Sequence, residues 1–428
     1  MRPFEAPKAC DLRRLAGRMV AAAATLTATA CGEPTAPGSK PPIITTLPRS
    51  LSTAETSIAT STSTFGLNLL REVNGEFPDS NVFLSPLSAS MALGLSLNGA
   101  SGATFDEMRG ALALPDQSLA NLNAGYKSLI TLLRGLDATV DMRLANSVWY
   151  RTSFGPQIAP IFLSDAQTFF DARVAGLDFS AAQAPTTINE WVAEQTNNKI
   201  TRIVDQIPSQ TVMYVINAVY FKGAWRDGFD ARKTASAEFT TRNGSRVPVQ
   251  MMTRKGNVRA RTTSGVDVLE LPYGGDAFVM TIVAPPATQS IDSFINTLTP
   301  AAWDGLLTGL ATVDWDVYVP KFTLEFEDTL KDDLQALGMR QAFVEGGADF
   351  TRLSPTLGRD IFISQVKQKT FVDVNEVGTE AAAVTSVEFG VTSLPPSIRI
   401  NRPFVFAIRE RLSGTILFMG KIIHPKTR

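Results

Sequence analysis

The most specific spacing in the chain runs from Glu376 to Pro403, and the chemistry it suits is a change of strand partner, not bond making by its own side chains. After Gly378 the residues split by parity. Thr379, Ala381, Ala383, Thr385, Val387 and Phe389 form one set, and Glu380, Ala382, Val384, Ser386, Glu388 and Gly390 the other. Both charges fall in the second set, as in a strand with its small or apolar residues inward and its charges outward. The run Ala381-Ala382-Ala383 has low strand propensity, so the segment can fill a strand position without being committed to one. Conventional catalytic sets are missing: the single histidine, His424, lies four residues from the C-terminus, and the two cysteines, Cys10 and Cys31, precede the globular part. A Ser/His/Asp or Cys/His nucleophile system and a structural zinc site both need residues the body lacks. No disulfide can hold the fold. The chain is therefore read as no enzyme, with no cofactor or metal, and His424 is expected at the surface.

The same stretch closely resembles the reactive-centre loop and C-terminal strands of serpins. The resemblance rests on Gly378-Thr-Glu-Ala-Ala-Ala383, followed at matching distances by Pro395-Pro396, by Asn401-Arg-Pro-Phe-Val-Phe406 and by Leu417-Phe-Met-Gly-Lys421. It implies a hinge made of Glu376, Gly378, Thr379, Glu380, Ala381, Ala382 and Ala383. Counting along the family's spacing from Gly378, and back from Pro403, gives the same reactive bond, Thr392–Ser393, with Val391 and Phe389 beside it as specificity residues. The implied activity is suicide inhibition. The target protease attacks the loop and forms an acyl-enzyme, and the freed hinge segment then inserts as a new strand of the central sheet before water can release the product. Roughly fifteen residues at about 3.3 Å each would carry the protease some 50 Å.

No Lys or Arg occurs between Gly378 and Ile398, so trypsin-like targets are poor candidates. A small β-branched Thr392 suits the shallow apolar pocket of an elastase-like or subtilisin-like serine protease. Papain-like cysteine proteases, which read an apolar residue at Val391, are an alternative target class. A non-inhibitory serpin acting as a carrier or chaperone is the other alternative, although such members typically place bulky, charged or proline residues in the hinge.

These residues need a sheet to enter and a latch to hold it. Thr211 to Trp225 is a long apolar run broken by Asn217, as in a central strand with both faces covered, and a buried Asn without partners would cost roughly 1–3 kcal/mol. Asn81 to Ala100 is apolar on every side and reads as a buried helix. The resemblance matches Ser85 and Ser88 to the two serines beneath the point where the sheet parts, with helix capping as the plainer role, and sets Asn217 beside them. It puts Trp225 at the top of the sheet, next to the hinge entry. Val319 to Phe350 follows the serpin pattern closely, which sets Lys321 opposite Glu376 as an exposed ion pair worth about 0–1 kcal/mol. Gln368 stands where the family usually keeps a shutter histidine; it can hydrogen-bond as a neutral imidazole does but cannot be protonated near neutral pH. Further strands are expected at Phe278–Ala284, Val313–Val319 and Ile361–Val374.

Three segments are expected. In residues 1–31, Arg13, Arg14 and Arg18 precede the run Met19 to Ala30, too short to span a bilayer. The ending Ala28-Thr29-Ala30-Cys31 resembles a bacterial lipoprotein signal with Cys31 as the lipidated residue, although a leucine is usual where Ala28 stands; plain secretion is the alternative. Residues 32–63 are rich in Pro, Thr and Ser and read as a flexible tether, reaching on the order of 30 Å. Residues 64–428 form the globular body, starting with an amphipathic helix over Phe65–Val73 that stops at Asn74-Gly75. The expected fold class is α+β: a large central mixed sheet whose middle strands are parallel, smaller antiparallel sheets, and eight or nine helices.

Forty Lys and Arg against 41 Asp and Glu leave a net charge of −1, which gives no electrostatic footprint for nucleic acid. The basic cluster from Arg254 to Arg261 could meet a polyanion, with a solvated hairpin face as the blander reading. The expected partner is a target protease, the expected state a monomer, and the expected location the cell surface through a lipid anchor, or otherwise the medium or periplasm.

Overall fold

The computed structural model of the chain describes residues 40–379 and 396–427. The first helix, α1 (Thr53–Glu76), begins at a capping box: the Ser52 hydroxyl accepts from the Glu55 N–H, and the Glu55 carboxylate accepts from the Ser52 N–H. This reciprocal pair satisfies donors that a helix start leaves open. Arg49 bonds the same carboxylate, and that bond with the capping ones holds Glu55 down at about 2. Ile58, Ala59, Ser61 and Thr62 are all buried. The tether expected to reach residue 63 therefore ends earlier. Upstream of the cap, the Ile44 N–H donates to the Gly275 carbonyl at 2.8 Å, and Arg226 donates to the Pro41 carbonyl at 2.7 Å. The Ser and Thr from Thr53 to Ser63, which suggested disorder, belong to the helix's first turns.

The apolar stretch from Asn81 is not helix throughout. Val82–Leu84 forms a short strand, and α2 (Pro86–Leu97) follows with Ser85 as its N-cap and Pro86 in its first turn. All three strand residues are buried because they add an edge to an antiparallel sheet, pairing with Met419–Lys421.

Three sheets are present among the described residues. The central one has six strands: β1 (Val140–Arg151), β2 (Arg173–Leu177), β3 (Met213–Ala224), β4 (Phe322–Thr329), β5 (Lys367–Val374) and β6 (Gly378–Thr379). Their order is β4-β5-β6-β3-β1-β2. β6 is antiparallel to both β5 and β3, so those two run the same way. A seven-stranded antiparallel sheet includes Phe278–Ala284, buried along its whole length, between Val266–Pro272 and Phe404–Glu410. By strand count it exceeds the central sheet. A four-stranded sheet holds Asp316–Pro320, whose pairing with Ser397–Arg399 is parallel. The stretch expected as one strand over Val313–Val319 is split at Trp315, with its halves in different sheets. Of Ile361–Val374 only Lys367–Val374 is strand.

The basic cluster is dispersed by the fold. Arg259 pairs with Glu270 at 2.8 Å and Asp276 at 2.7 Å, Arg254 is buried beside Asp227, and Arg261 bonds the Thr308 carbonyl. His424 is half-buried, its carbonyl accepting from the Asn81 amide at 2.8 Å.

Candidate functional site

Gly378 and Thr379 lie between two strands that do not otherwise meet. Thr379 pairs with Val374 of β5 on one side and Gly223 of β3 on the other, and Gly378 pairs with Ala224. Only glycine fits at 378, since a Cβ there would stand 2.1 Å from the Gly223 carbonyl oxygen. Thr379 is 2% exposed, and its hydroxyl shares a 2.7 Å hydrogen bond with the Tyr273 hydroxyl. Burial pushes the Tyr273 phenol up against the effect of that bond, so the group stays protonated. The inward position assigned to Thr379 by parity is the one it occupies.

The approach to the hinge is tightly held. Trp225 donates its indole N–H to the Asn375 carbonyl at 2.8 Å and its backbone N–H to the Val377 carbonyl at 2.8 Å. Its ring stacks on Tyr273 with centroids 4.5 Å apart. The Asn375 side chain accepts the N–H groups of Val377 and Gly378, and the Phe229 N–H donates to the Glu376 carbonyl. Lys321 meets Glu376 at 2.9 Å, and the Thr234 hydroxyl donates to the same carboxylate at 2.7 Å. Burial pushes the Glu376 carboxyl up, but the bonds from Lys321 and Thr234 outweigh this and leave it below its ordinary value. The pair is less exposed than the sequence suggested, because Glu376 is 8% exposed. Charge-assisted bonds of this kind contribute about 1.5–3 kcal/mol.

Beyond the hinge residues, no ladder joins β3 to β5 among the described residues. A cavity of about 360 Å³ separates them, lined by Val215 and Asn217 of β3, Gln368 and Thr370 of β5, and Ser85 and Ser88 at the start of α2. The latch residues thus share one cavity without forming one hydrogen-bonded cluster. Gln368 spans the backbone of Ser85, accepting its N–H at 3.0 Å and donating to its carbonyl at 2.9 Å. Ser85 accepts from the Ser88 N–H and donates to the Leu417 carbonyl at 2.8 Å. Thr370 donates to the Phe83 carbonyl at 2.6 Å. Asn217 lines the cavity with the two serines but makes its hydrogen bond to Asn146 of β1, donating at 2.6 Å, and its own carbonyl oxygen is buried without a protein donor. Gln368 thus ties β5 to the base of α2, while Asn217 ties β3 to β1 and also reaches Met91 Sδ of α2 at 3.8 Å.

Sequence reasoning missed Tyr273, Thr234, Asn375 and Asn146. Tyr273, Thr234 and Asn146 each sit in a different element from the residue they hold, and nothing in their own neighbourhood in the chain marks them; Asn375 stands directly before Glu376, and its side chain holds the next turn of chain. Glu380, Ala381, Ala382, Ala383, Phe389, Val391, Thr392, Ser393 and Cys31 lie outside the described residues.

Residues 60–425 match the family model described as Serpin (serine protease inhibitor). Neuroserpin from Homo sapiens is 32% identical over 401 residues, 89% of this chain and 94% of that protein. Leukocyte elastase inhibitor from Sus scrofa is 32% identical over 378 residues, 84% of this chain and 97% of the relative. Among solved structures, human thyroxine-binding globulin complexed with its ligand superposes with a TM-score of 0.79 at 27% identity, over 87% of this chain and 100% of the other.

Proposed function

This chain belongs to the serpin family, and from that premise we propose that it is a suicide inhibitor of serine proteases that acts by inserting residues after Gly378 into its central sheet. The observation that carries the reading is the gap between β3 and β5. Two strands running the same way are held apart, the first hinge residues already pair with both, and the cavity beyond continues their line. A strand entering there would gain ladder hydrogen bonds on both edges, a gain unavailable while the segment stays exposed. The inhibitor supplies no catalytic group. Its part is to offer a bond for cleavage and then to win a race against deacylation.

Thr392–Ser393 is the proposed cleaved bond, with Val391 and Phe389 read alongside it. The small β-branched Thr392 favours an elastase-like or subtilisin-like target, and the likeness to a leukocyte elastase inhibitor agrees with that choice. Anchoring by Cys31 and action as a monomer complete the proposal; no helix among the described residues is long and apolar enough to cross a membrane.

A carrier role is the second reading, favoured by the likeness to thyroxine-binding globulin. The small hinge residues Thr379, Ala381, Ala382 and Ala383 argue for insertion instead. Incubation with elastase, subtilisin, trypsin and papain distinguishes the two. A denaturant-resistant adduct with elastase or subtilisin is expected. Cleavage by every protease without any adduct would overturn inhibition by insertion, and an adduct with papain alone would move the target to the cysteine class.

A further inference from the structure

At the far end of α1 three acidic residues from three elements converge. Glu76 is the last residue of α1, Asp328 is next to the end of β4, and Asp333 lies in the first turn of the helix Lys331–Ala336. Each offers an oxygen within 4.8 Å of the others. Asp328 is 7% exposed and Asp333 5%. One Asp328 oxygen accepts the Thr329 N–H at 2.7 Å, but Asp328 Oδ2 and Asp333 Oδ2 are both buried and accept from no protein donor. Buried carboxylates with an unfilled oxygen are costly unless a cation or proton meets them.

The end of α1 adds no compensation. α1 has no basic residue in its last turn, although that end of a helix carries the negative end of the macrodipole and favours cations. Glu76 adds a further negative charge there. Burial, then Asp328, then Glu76 push the Asp333 carboxyl up to about 7. The start of a short helix accommodates acids as a rule, and that plainer account covers Asp332; it leaves the orphaned oxygens of Asp328 and Asp333 unexplained.

We propose that Glu76, Asp328 and Asp333 form a binding site for a hard divalent cation, calcium before magnesium or manganese, which fastens the end of α1 to β4 at the edge of the central sheet. The donor set is all carboxylate oxygen, which suits this class of ion and not zinc or copper. Calcium leads because it accepts irregular geometry with oxygens at about 2.3–2.6 Å, so that two ligands can stand up to about 5 Å apart across the ion. Exposed Glu76 gives a way in from solvent and leaves room for water to complete the coordination. The site is independent of the inhibitory reading.

The test uses the full chain, stripped with a chelator and titrated with calcium chloride, with magnesium and manganese chloride as comparators. Calorimetry is expected to show one calcium per chain. The thermal midpoint is expected to rise by about 3 °C at one hundred times Kd. Asp333→Asn keeps the shape and removes one buried charge, so without calcium it is expected to be at least as stable as the parent, and with calcium less stable. Asp328→Asn is expected to reverse the order in the same way, and Glu76→Gln to weaken binding by a smaller factor. Absence of heat and of any thermal shift in the parent at about 10 mM of each ion, above the range of weak extracellular calcium modules, would overturn the proposal. An equal shift in a double Asp328→Asn, Asp333→Asn variant would also overturn it.

Discussion

Replacing Thr379 by arginine tests whether the hinge must enter the sheet. The side chain is 2% exposed and its hydroxyl sits 2.7 Å from the buried Tyr273 hydroxyl. An arginine there must either bury its charge without a carboxylate partner, at a cost of several kcal/mol, or hold the hinge out of the sheet. Since Thr379 already pairs in the sheet, the arginine expels it, and insertion must then begin by burying that charge. Each 1.4 kcal/mol on the barrier is about tenfold in rate, so roughly 3 kcal/mol slows insertion about a hundredfold. The race with deacylation is then lost. Thr379→Arg is expected to be cut at Thr392 as readily as the parent while turning from inhibitor to substrate, with a stoichiometry of inhibition many times higher and little adduct on a denaturing gel. Thr379→Val leaves the Tyr273 hydroxyl unpaired and is expected to fall between the two. Glu380→Arg, one residue on and of outward parity, is the control and is expected to be mild. Equal loss of adduct in the two arginine variants would refute strand insertion led by Thr379.

Thr392→Arg is expected to weaken inhibition of elastase-like enzymes and create inhibition of trypsin-like ones, since a carboxylate-lined pocket favours Arg; the released C-terminal peptide should begin at Ser393 by mass spectrometry, and another first residue would relocate the bond. Cys31→Ser is expected to move the protein from the membrane fraction to the medium or periplasm, because the lipid anchor is lost; a parent already soluble would leave plain secretion. For Glu376, a folded pKa below the ordinary 4.5 means that its contribution is present above that value and lost as pH falls below it. Glu376→Gln is therefore expected to be less stable than the parent at pH 6 and to flatten the loss of stability on acidification below about pH 4.5, followed by denaturant titration at each pH.

The features legible in the sequence were those with a strict local period. Parity assigned Thr379 inward, and its side chain is buried; the run Phe278–Ala284, apolar but for Thr281, is a strand with those ends. The expectations that failed were decided by distant partners. Residues 53–63 carry the composition of a linker, yet a capping box and the burial of Ile58 make them helix. Val82–Leu84 has the apolar character of the helix that follows, and an open edge of the antiparallel sheet makes it strand. Asn217 was expected to need partners, and composition could not say that Asn146, on the neighbouring strand, would supply one. The resemblance brought Lys321 to Glu376, but only the fold reveals Thr234 as the third member and the burial that strengthens the pair.

The stacking of Trp225 on Tyr273 has an optical consequence. The indole N–H bonds the Asn375 carbonyl, three residues before Gly378, while the ring lies on the tyrosine that holds Thr379. Any movement that draws the hinge further down the sheet must disturb the polarity around this one ring. The chain has only five tryptophans, and Trp149, the fully buried one, bonds Ser147 within its own strand. Emission from Trp225 is thus a built-in stopwatch, readable in a stopped-flow cell with no label attached, for the interval between the protease's arrival and its capture.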